Sequence, residues 1–339
     1  MARLPLSVLD LSPLSAGGTA RDALLATIDL ARHVEALGFR RFWVAEHHNA
    51  KGLACTAPEI VIGQVAAATT TLRVGSGGIM LPNHVPLKVA ETFRTLAAFF
   101  PDRIDLGIGR AAGTDPRTAR VLRRVPPGGE LPPDDLPRDL DSLFGYLDED
   151  DPPRPPFATS IVAAPGGVPA PPVYLLGSSE QGGALAARLG LPFAFAHHFA
   201  PAGAAAAMRA YRRDFQPSRR LAAPYAILTT SAFCAATDEE VAAQSACTEL
   251  AALRFAQRLR DAPFPSVAEA RAYFYDETDR ALAAAHRGSR IAGTPAAVAR
   301  ELLALVEATA ADELMIITAA HAPDAKRRSY ASIAEALAR

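Results

Sequence analysis

The sequence predicts an α/β fold, a (β/α)8 TIM barrel with insertions in the loops that follow its strands. Three observations predict it. Short apolar runs alternate with longer stretches of helical periodicity along the whole chain. That alternation calls for parallel strands joined by helical crossovers. The runs number eight, which favours a closed barrel over an open, doubly wound sheet. With 339 residues, 50% of them apolar, the chain can fill the core of one such domain over 1–339.

The expected strands are Leu6–Leu11, Phe42–Ala45, Arg73–Leu81, Ile104–Ile108, Val173–Leu176, Phe193–Ala196, Tyr225–Cys234 and Leu314–Thr318. Helical patterns lie near 20–37, 57–70, 86–99, 134–148, 180–189, 202–214, 238–260, 295–310 and 325–338. In the first, Leu24, Leu25, Ile28, Ala31 and Leu37 fall near one face, and Gly38 stands where a glycine ends a helix. Thr294-Pro295 reads as a helix start, with Thr as cap and Pro at the first helical position. Three stretches break the rhythm. Residues 111–133 hold Pro116, Pro126, Pro127, Pro132 and Pro133; residues 150–172 hold eight prolines and a candidate extra strand at Ile161–Ala164; residues 262–290 read as helical. We read them as excursions from the barrel. Loops at strand C-termini carry the chemistry of barrel enzymes, so 111–133 is a candidate lid.

Composition excludes some classes. A net charge of −1, with only short and scattered Arg pairs, offers no basic field for nucleic acid. No apolar stretch reaches the roughly 18 residues of a membrane span, and the first residues lack the pattern of a signal peptide. Cys55, Cys234 and Cys247 show neither metal nor disulfide spacing, so a reducing cytoplasm is expected.

In a barrel, the residues after each strand form the site. Strand two ends in Glu46-His47-His48-Asn49, and strand six in His197-His198. Neighbouring side chains on a strand point to opposite faces, so adjacent histidines are poorly placed to share one metal ion, and no metal site is expected. One His of each pair facing the pocket would suit proton transfer near neutral pH. Gly107-Ile108-Gly109-Arg110-Ala111-Ala112 formally matches a dinucleotide fingerprint, but that fingerprint must open a helix, and here Gly113 and Pro116 follow. Its glycines instead let the chain turn under a ligand, leaving Arg110 at the rim. Gly177-Ser178-Ser179-Glu180 lies between a strand and a helix, where free backbone N–H groups and hydroxyls make an anion site. Ser179 serves equally well as an ordinary helix cap, and the two roles are compatible. Gly75-Ser76-Gly77-Gly78, inside an apolar strand, suggests an unusual backbone or the close approach of a flat ligand.

Taken in order, Ser7-Val8-Leu9-Asp10, Ala45-Glu46-His47-His48, Val74 to Pro82, Arg103 to Arg110, Leu176-Gly177-Ser178-Ser179 and Gly293-Thr294-Pro295 resemble the bacterial luciferase-like flavin-dependent monooxygenase family, over about residues 4–335. The resemblance implies reduced FMN as cofactor, supplied by a separate flavin reductase. Such enzymes add O2 to the flavin C4a, and the peroxyflavin so formed oxygenates a small organic substrate. By position, Arg110 and the turn of Gly177, Ser178, Ser179 and Gln181 would hold the FMN phosphate. Gly77 and Gly78 would lie against the ring system, where the family often has a non-proline cis peptide. His47 matches the catalytic base, and Met80, Phe195, His197 and His198 are the candidate substrate pocket. A homodimer through the second and third helices is also implied.

Two departures matter. Gly182 stands where relatives often have Ser, and Gly109 where the light-emitting subunit has Cys, so light emission is not expected. A 5-deazaflavin-dependent dehydrogenase or reductase of the same fold and a non-catalytic flavin-binding protein are the alternatives to an FMN monooxygenase.

Overall fold

Strand parity sorts the apolar residues into two layers. A computed structural model describes residues 4–131, 135–148, 161–259, 261–286 and 290–338. Its first half runs β1 (Leu6–Asp10), α1 (Ala20–Ala36), β2 (Arg41–Val44), α2 (Pro58–Ala68), β3 (Arg73–Ser76), β4 (Ile79–Met80), α3 (Pro86–Phe99), β5 (Ile104–Gly109), α4 (Pro116–Leu122) and α5 (Leu136–Leu147). The second half runs β6 (Val173–Gly177), α6 (Glu180–Leu189), β7 (Phe193–Ala196), α7 (Ala204–Arg213), β8 (Ala226–Cys234), α8 (Asp238–Ala256), α9 (Val267–Ala272), α10 (Glu277–His286), β9 (Arg290–Gly293), α11 (Pro295–Thr309), β10 (Glu313–Ile317) and α12 (Pro323–Ala336). The strands pair in parallel in the order β1-β2-β3-β5-β6-β7-β8-β10, and β10 also pairs with β1, closing the expected eight-stranded barrel. On alternate strand positions Val8, Phe42, Leu106, Leu175, Phe193 and Leu228 face the helices, while Leu9, Trp43, Ala194, Ile227, Met315 and Ile317 face the lumen.

Local chemistry sets the helix ends. Thr19 and Asp22 form a reciprocal capping box at α1, and Gly38, at φ +78°, ends it. Asp115 caps α4 and Ser179 caps α6. Helix α11 starts at Pro295 as expected, but Thr294 makes no side-chain cap bond.

Several expectations need correction. The single strand expected over Arg73–Leu81 is two, β3 and β4, separated by a cis peptide at Gly77-Gly78 and followed by a 3-10 turn at Leu81–Asn83. Close packing explains the glycines there: a Cβ on Gly77 would lie 2.6 Å from Leu9 Cδ1, and one on Gly78 2.7 Å from the Gly107 carbonyl oxygen. Ile161–Ala164 is not a strand, and the preceding residues of that excursion, 150–160, lie outside the described residues, as do Pro132 and Pro133. Strand β9 was not expected. It pairs only with β8, whose nine residues outrun the barrel, with Ser231 opposite Arg290 and Cys234 opposite Gly293. The insertion before β9 is helical, as expected, and packs Ala270 and Ala283 against Cys247, Leu250 and Leu253 of α8.

The N-terminal end of the barrel is plugged by charge. Arg41, fully buried, donates to both Glu313 carboxylate oxygens (2.6 and 3.0 Å), to Asp105 Oδ2 (2.7 Å) and to the Tyr174 hydroxyl (2.8 Å). Arg73 reaches Asp105 Oδ1 from the other side at 2.6 Å. Buried charges persist only when paired and hydrogen-bonded. This plug is structural, because barrel chemistry sits at the opposite end. No helix among the described residues is long and apolar enough to cross a membrane.

Candidate active site

At the C-terminal end of the strands lies a cavity of about 500 Å3, within the range of roughly 300–1,000 Å3 usual for small-molecule and cofactor sites. Its floor is Trp43, the one tryptophan of the sequence, whose Nε1 donates to Asp105 Oδ2 at 3.1 Å and ties the floor to the charged plug. One wall is apolar, from Leu9, Leu11, Met315 and Ile317. Another is polar, from Thr229 and Ser231 of β8, Thr248 and Glu249 of α8, and Arg290 of β9.

Arg110, Gly177, Ser178, Ser179 and Gln181 all line this cavity. Ile108 is opposite Leu175, so continuing that register by two residues brings Arg110 level with Gly177. Arg110 is exposed at the rim. Ser179 Oγ accepts from the Gly182 amide at 3.3 Å, so its hydroxyl serves as the helix cap. The amides of Glu180 and Gln181, at the first positions of α6, are among those that no helical carbonyl can satisfy. Together with the Ser178 hydroxyl and the Arg110 guanidinium they form an end of the cavity suited to an anion.

The histidine pairs divide as strand parity requires. His47 lines the cavity, and its buried Nδ1 has no hydrogen-bond partner. Burial holds its pKa below the ordinary value, against the opposing charge of Glu46, so the ring is neutral at neutral pH. His48 turns away and meets Glu46 Oε1 through Nε2 at 2.7 Å. His198 also lines the cavity; its Nδ1 lies 3.1 Å from the Thr229 carbonyl oxygen, so Nδ1 carries the proton and Nε2 is left as an acceptor. Burial pushes its pKa down to about 4.

Met80 and Gly77 line the cavity, and Gly78 packs behind it against β5. Two residues expected in the substrate pocket lie elsewhere. Phe195 belongs to the outward row of β7 and packs edge-on against Phe193, with ring centroids 6.0 Å apart. Buried His197 pairs its Nδ1 with Thr230 Oγ1 at 3.0 Å and does not line the cavity. The lumen-facing positions on this strand are Ala194 and Ala196. Sequence reasoning missed Trp43, Thr229 and Ser231, which the two-residue period of their strands could have marked. It also missed Glu249 and Arg290, which carried no such signal because the helix and strand bearing them reach the cavity only through tertiary packing. Among the described residues, no group of three or more His, Cys, Asp or Glu is arranged to hold a metal ion.

Comparison with known proteins identifies the family. The family model described as luciferase-like monooxygenase matches residues 5–122 and 151–313. A protein named luciferase-like monooxygenase from Escherichia coli K12 is 39% identical over 315 residues, 91% of this chain and 90% of that protein. The N-acetyl-S-alkylcysteine monooxygenase of Bacillus subtilis is 32% identical over 338 residues, 98% of each chain. Among solved structures, apo-MsnO8 superposes with a TM-score of 0.88 at 37% identity, covering 99% of this chain and 98% of its own. The fold alone is shared, at TM-score 0.70 and 17% identity over 99% and 98% of the two chains, with the oxygenating constituent of 3,6-diketocamphane monooxygenase from Pseudomonas putida in complex with FMN. The same holds, at TM-score 0.65 and 16% identity over 99% of each chain, for an F420-dependent secondary alcohol dehydrogenase. The family match across most of the chain and the relatives that cover nearly all of it show that the chain belongs to the luciferase-like monooxygenase family and is an oxidoreductase.

Proposed function

We propose that this oxidoreductase is a two-component monooxygenase, which takes reduced FMN from a separate flavin reductase and uses O2 to oxygenate a small, partly apolar organic molecule. The observation that carries the reading is that one cavity joins Arg110, Ser178 and the start of α6, a set suited to an anion, to the imidazole of His47 across an apolar floor. The residues fit FMN. Arg110, Ser178 and the first amides of α6 would hold the phosphate, and the bend that lines the cavity at Gly77 and Met80 would lie against the ring. When bound, reduced FMN supplies the electrons that activate O2. His47 is the group that takes or returns a proton at the reacting centre, and His198 Nε2 is a second acceptor within the cavity. Leu9, Leu11 and Ile317 keep water from that centre, while Thr229, Ser231 and Arg290 would meet the polar end of the substrate. The similarity to an N-acetyl-S-alkylcysteine monooxygenase places thioethers with a polar head among the substrates to test. The same reading includes a cytoplasmic homodimer: Cys55, Cys234 and Cys247 are free and buried, and α2 and α3 leave Ile60 and Phe99 exposed for a partner.

Fluorescence of the single Trp43 tests the reading directly. Anaerobic titration with reduced FMN should quench it. Adding labelled O2 and a panel of thioethers, aldehydes and ketones should then give a product carrying one labelled oxygen. Binding of the 5-deazaflavin but not of FMN would overturn the assignment in favour of a hydride-transfer enzyme. Binding of FMN with no oxygenated product would leave a flavin-binding protein.

A further inference from the structure

Glu46 is fully buried, yet the chemistry above makes no use of it. Its carboxylate is the hub of three separate segments. Oε2 accepts from the Met80 amide of β4 at 2.9 Å. Oε1 meets His48 Nε2, from its own loop, at 2.7 Å. His84 Nε2, in the turn before α3, lies 2.9 and 3.0 Å from the two oxygens. A carboxylate only accepts, so both rings donate. Burial works to raise the Glu46 pKa, but the bond and charge of His84 and the bonds from Met80 and His48 outweigh it and hold the group ionised. His84 shows the reciprocal effect: burial lowers its pKa, and Glu46 more than restores it.

The network runs on towards the anion-binding end. The His48 amide donates to the Gly113 carbonyl oxygen at 3.2 Å, and Thr114 Oγ1 donates to the His48 carbonyl oxygen at 2.8 Å. The Met80 side chain is confined by glycines in the segment around Arg110: a Cβ on Gly109 would lie 2.9 Å from Met80 Sδ, and one on Gly113 3.1 Å from Met80 Cγ. Met80 is therefore held at its peptide by Glu46 and at its side chain by the end of β5 and the loop after it.

We propose that Glu46 is the positioning residue of the site, locking the Gly77 to Met80 bend, the His47 loop and the loop bearing Arg110 into one register, so that a flavin held at Arg110 meets both the bend and the imidazole. This rests on the flavin reading above, so the test has an arm that needs no flavin. The chain has four methionines, Met1, Met80, Met208 and Met315, and methyl labelling of methionine resolves them in the apoprotein. Glu46→Gln removes the charge and one acceptor. His84→Ala removes a donor at a half-exposed position, and His84→Asn replaces it. We expect the Met80 methyl resonance to shift or broaden in Glu46→Gln and His84→Ala, with Met208 unmoved, and to return towards its wild-type position in His84→Asn. In parallel, the FMN dissociation constant read from Trp43 should rise roughly tenfold in Glu46→Gln, as for one lost charge-assisted contact. A Met80 resonance unmoved in both Glu46→Gln and His84→Ala, with FMN affinity within about twofold of wild type, would overturn the proposal. Should Glu46→Gln fail to fold, the two His84 variants decide it. Should wild-type protein leave Trp43 unquenched by FMN, the cofactor reading fails and the methyl spectra alone decide the role of Glu46.

Discussion

Replacing Arg110 by Ala separates phosphate recognition from ring recognition. The guanidinium stands at the end of β5, level with Gly177, and shares the cavity lining with Ser178 and Gln181, which on the proposed reading meet the phosphate with it. A hydrogen bond to a charged group contributes about 1.5–3 kcal/mol. Arg110 is exposed, so water and salt screen it and the lower end applies. The expected loss is about 1.5 kcal/mol, roughly tenfold in dissociation constant. Riboflavin has the same ring and no phosphate, so its affinity should change by less than about twofold. The assay is quenching of Trp43 by each ligand, at low and at high salt, and the FMN effect should shrink as salt rises. Equal losses for FMN and riboflavin would show that Arg110 acts on the ring or the fold. An unchanged FMN constant would remove it from the site.

His47→Ala should leave FMN affinity within about twofold while lowering turnover by about 10²–10⁴-fold, measured as oxygenated product under saturating flavin; wild-type turnover would end its assignment as base. Burial depresses the His198 pKa to about 4, below the ordinary 6.5, so between those values the unfolded chain holds a proton that the folded one does not. Stability should therefore rise with pH across that window, be complete above it, and be lost as pH falls towards about 4. Urea midpoints against pH should show a shallower acid slope in His198→Gln, and identical slopes would refute the burial argument. Arg41→Met leaves Asp105 with Arg73 but takes from buried Glu313 its buried cation, and should cost about 3–5 kcal/mol of stability; a loss under about 1 kcal/mol by urea unfolding would mean the plug tolerates its own charges.

The barrel was legible in the sequence because its signals are local. Eight apolar runs, Gly38 after α1 and Pro295 opening α11 each act within a few residues, and every barrel strand lies within a few residues of its expected bounds. That Arg110 and Gly177-Ser178-Ser179 share one end of the cavity was legible for the same reason: they close adjacent strands, and a strand-to-helix turn displays its amides whatever packs around it. Phe195 and His197 went astray because membership of a short apolar strand does not say which parity faces the lumen. That is decided only when the barrel closes and Ala194, not Phe195, falls on the inner face. Strand β9, with Arg290 and Glu249 on the polar wall, depends on an insertion folding back over β8, and no local pattern encodes that. Glu46 shows the division most plainly. The sequence by itself placed an acid beside two histidines at a strand end. Only tertiary structure brought His84, 38 positions on, and the Met80 amide to that carboxylate, because donors to a buried charge are recruited across space rather than along the chain.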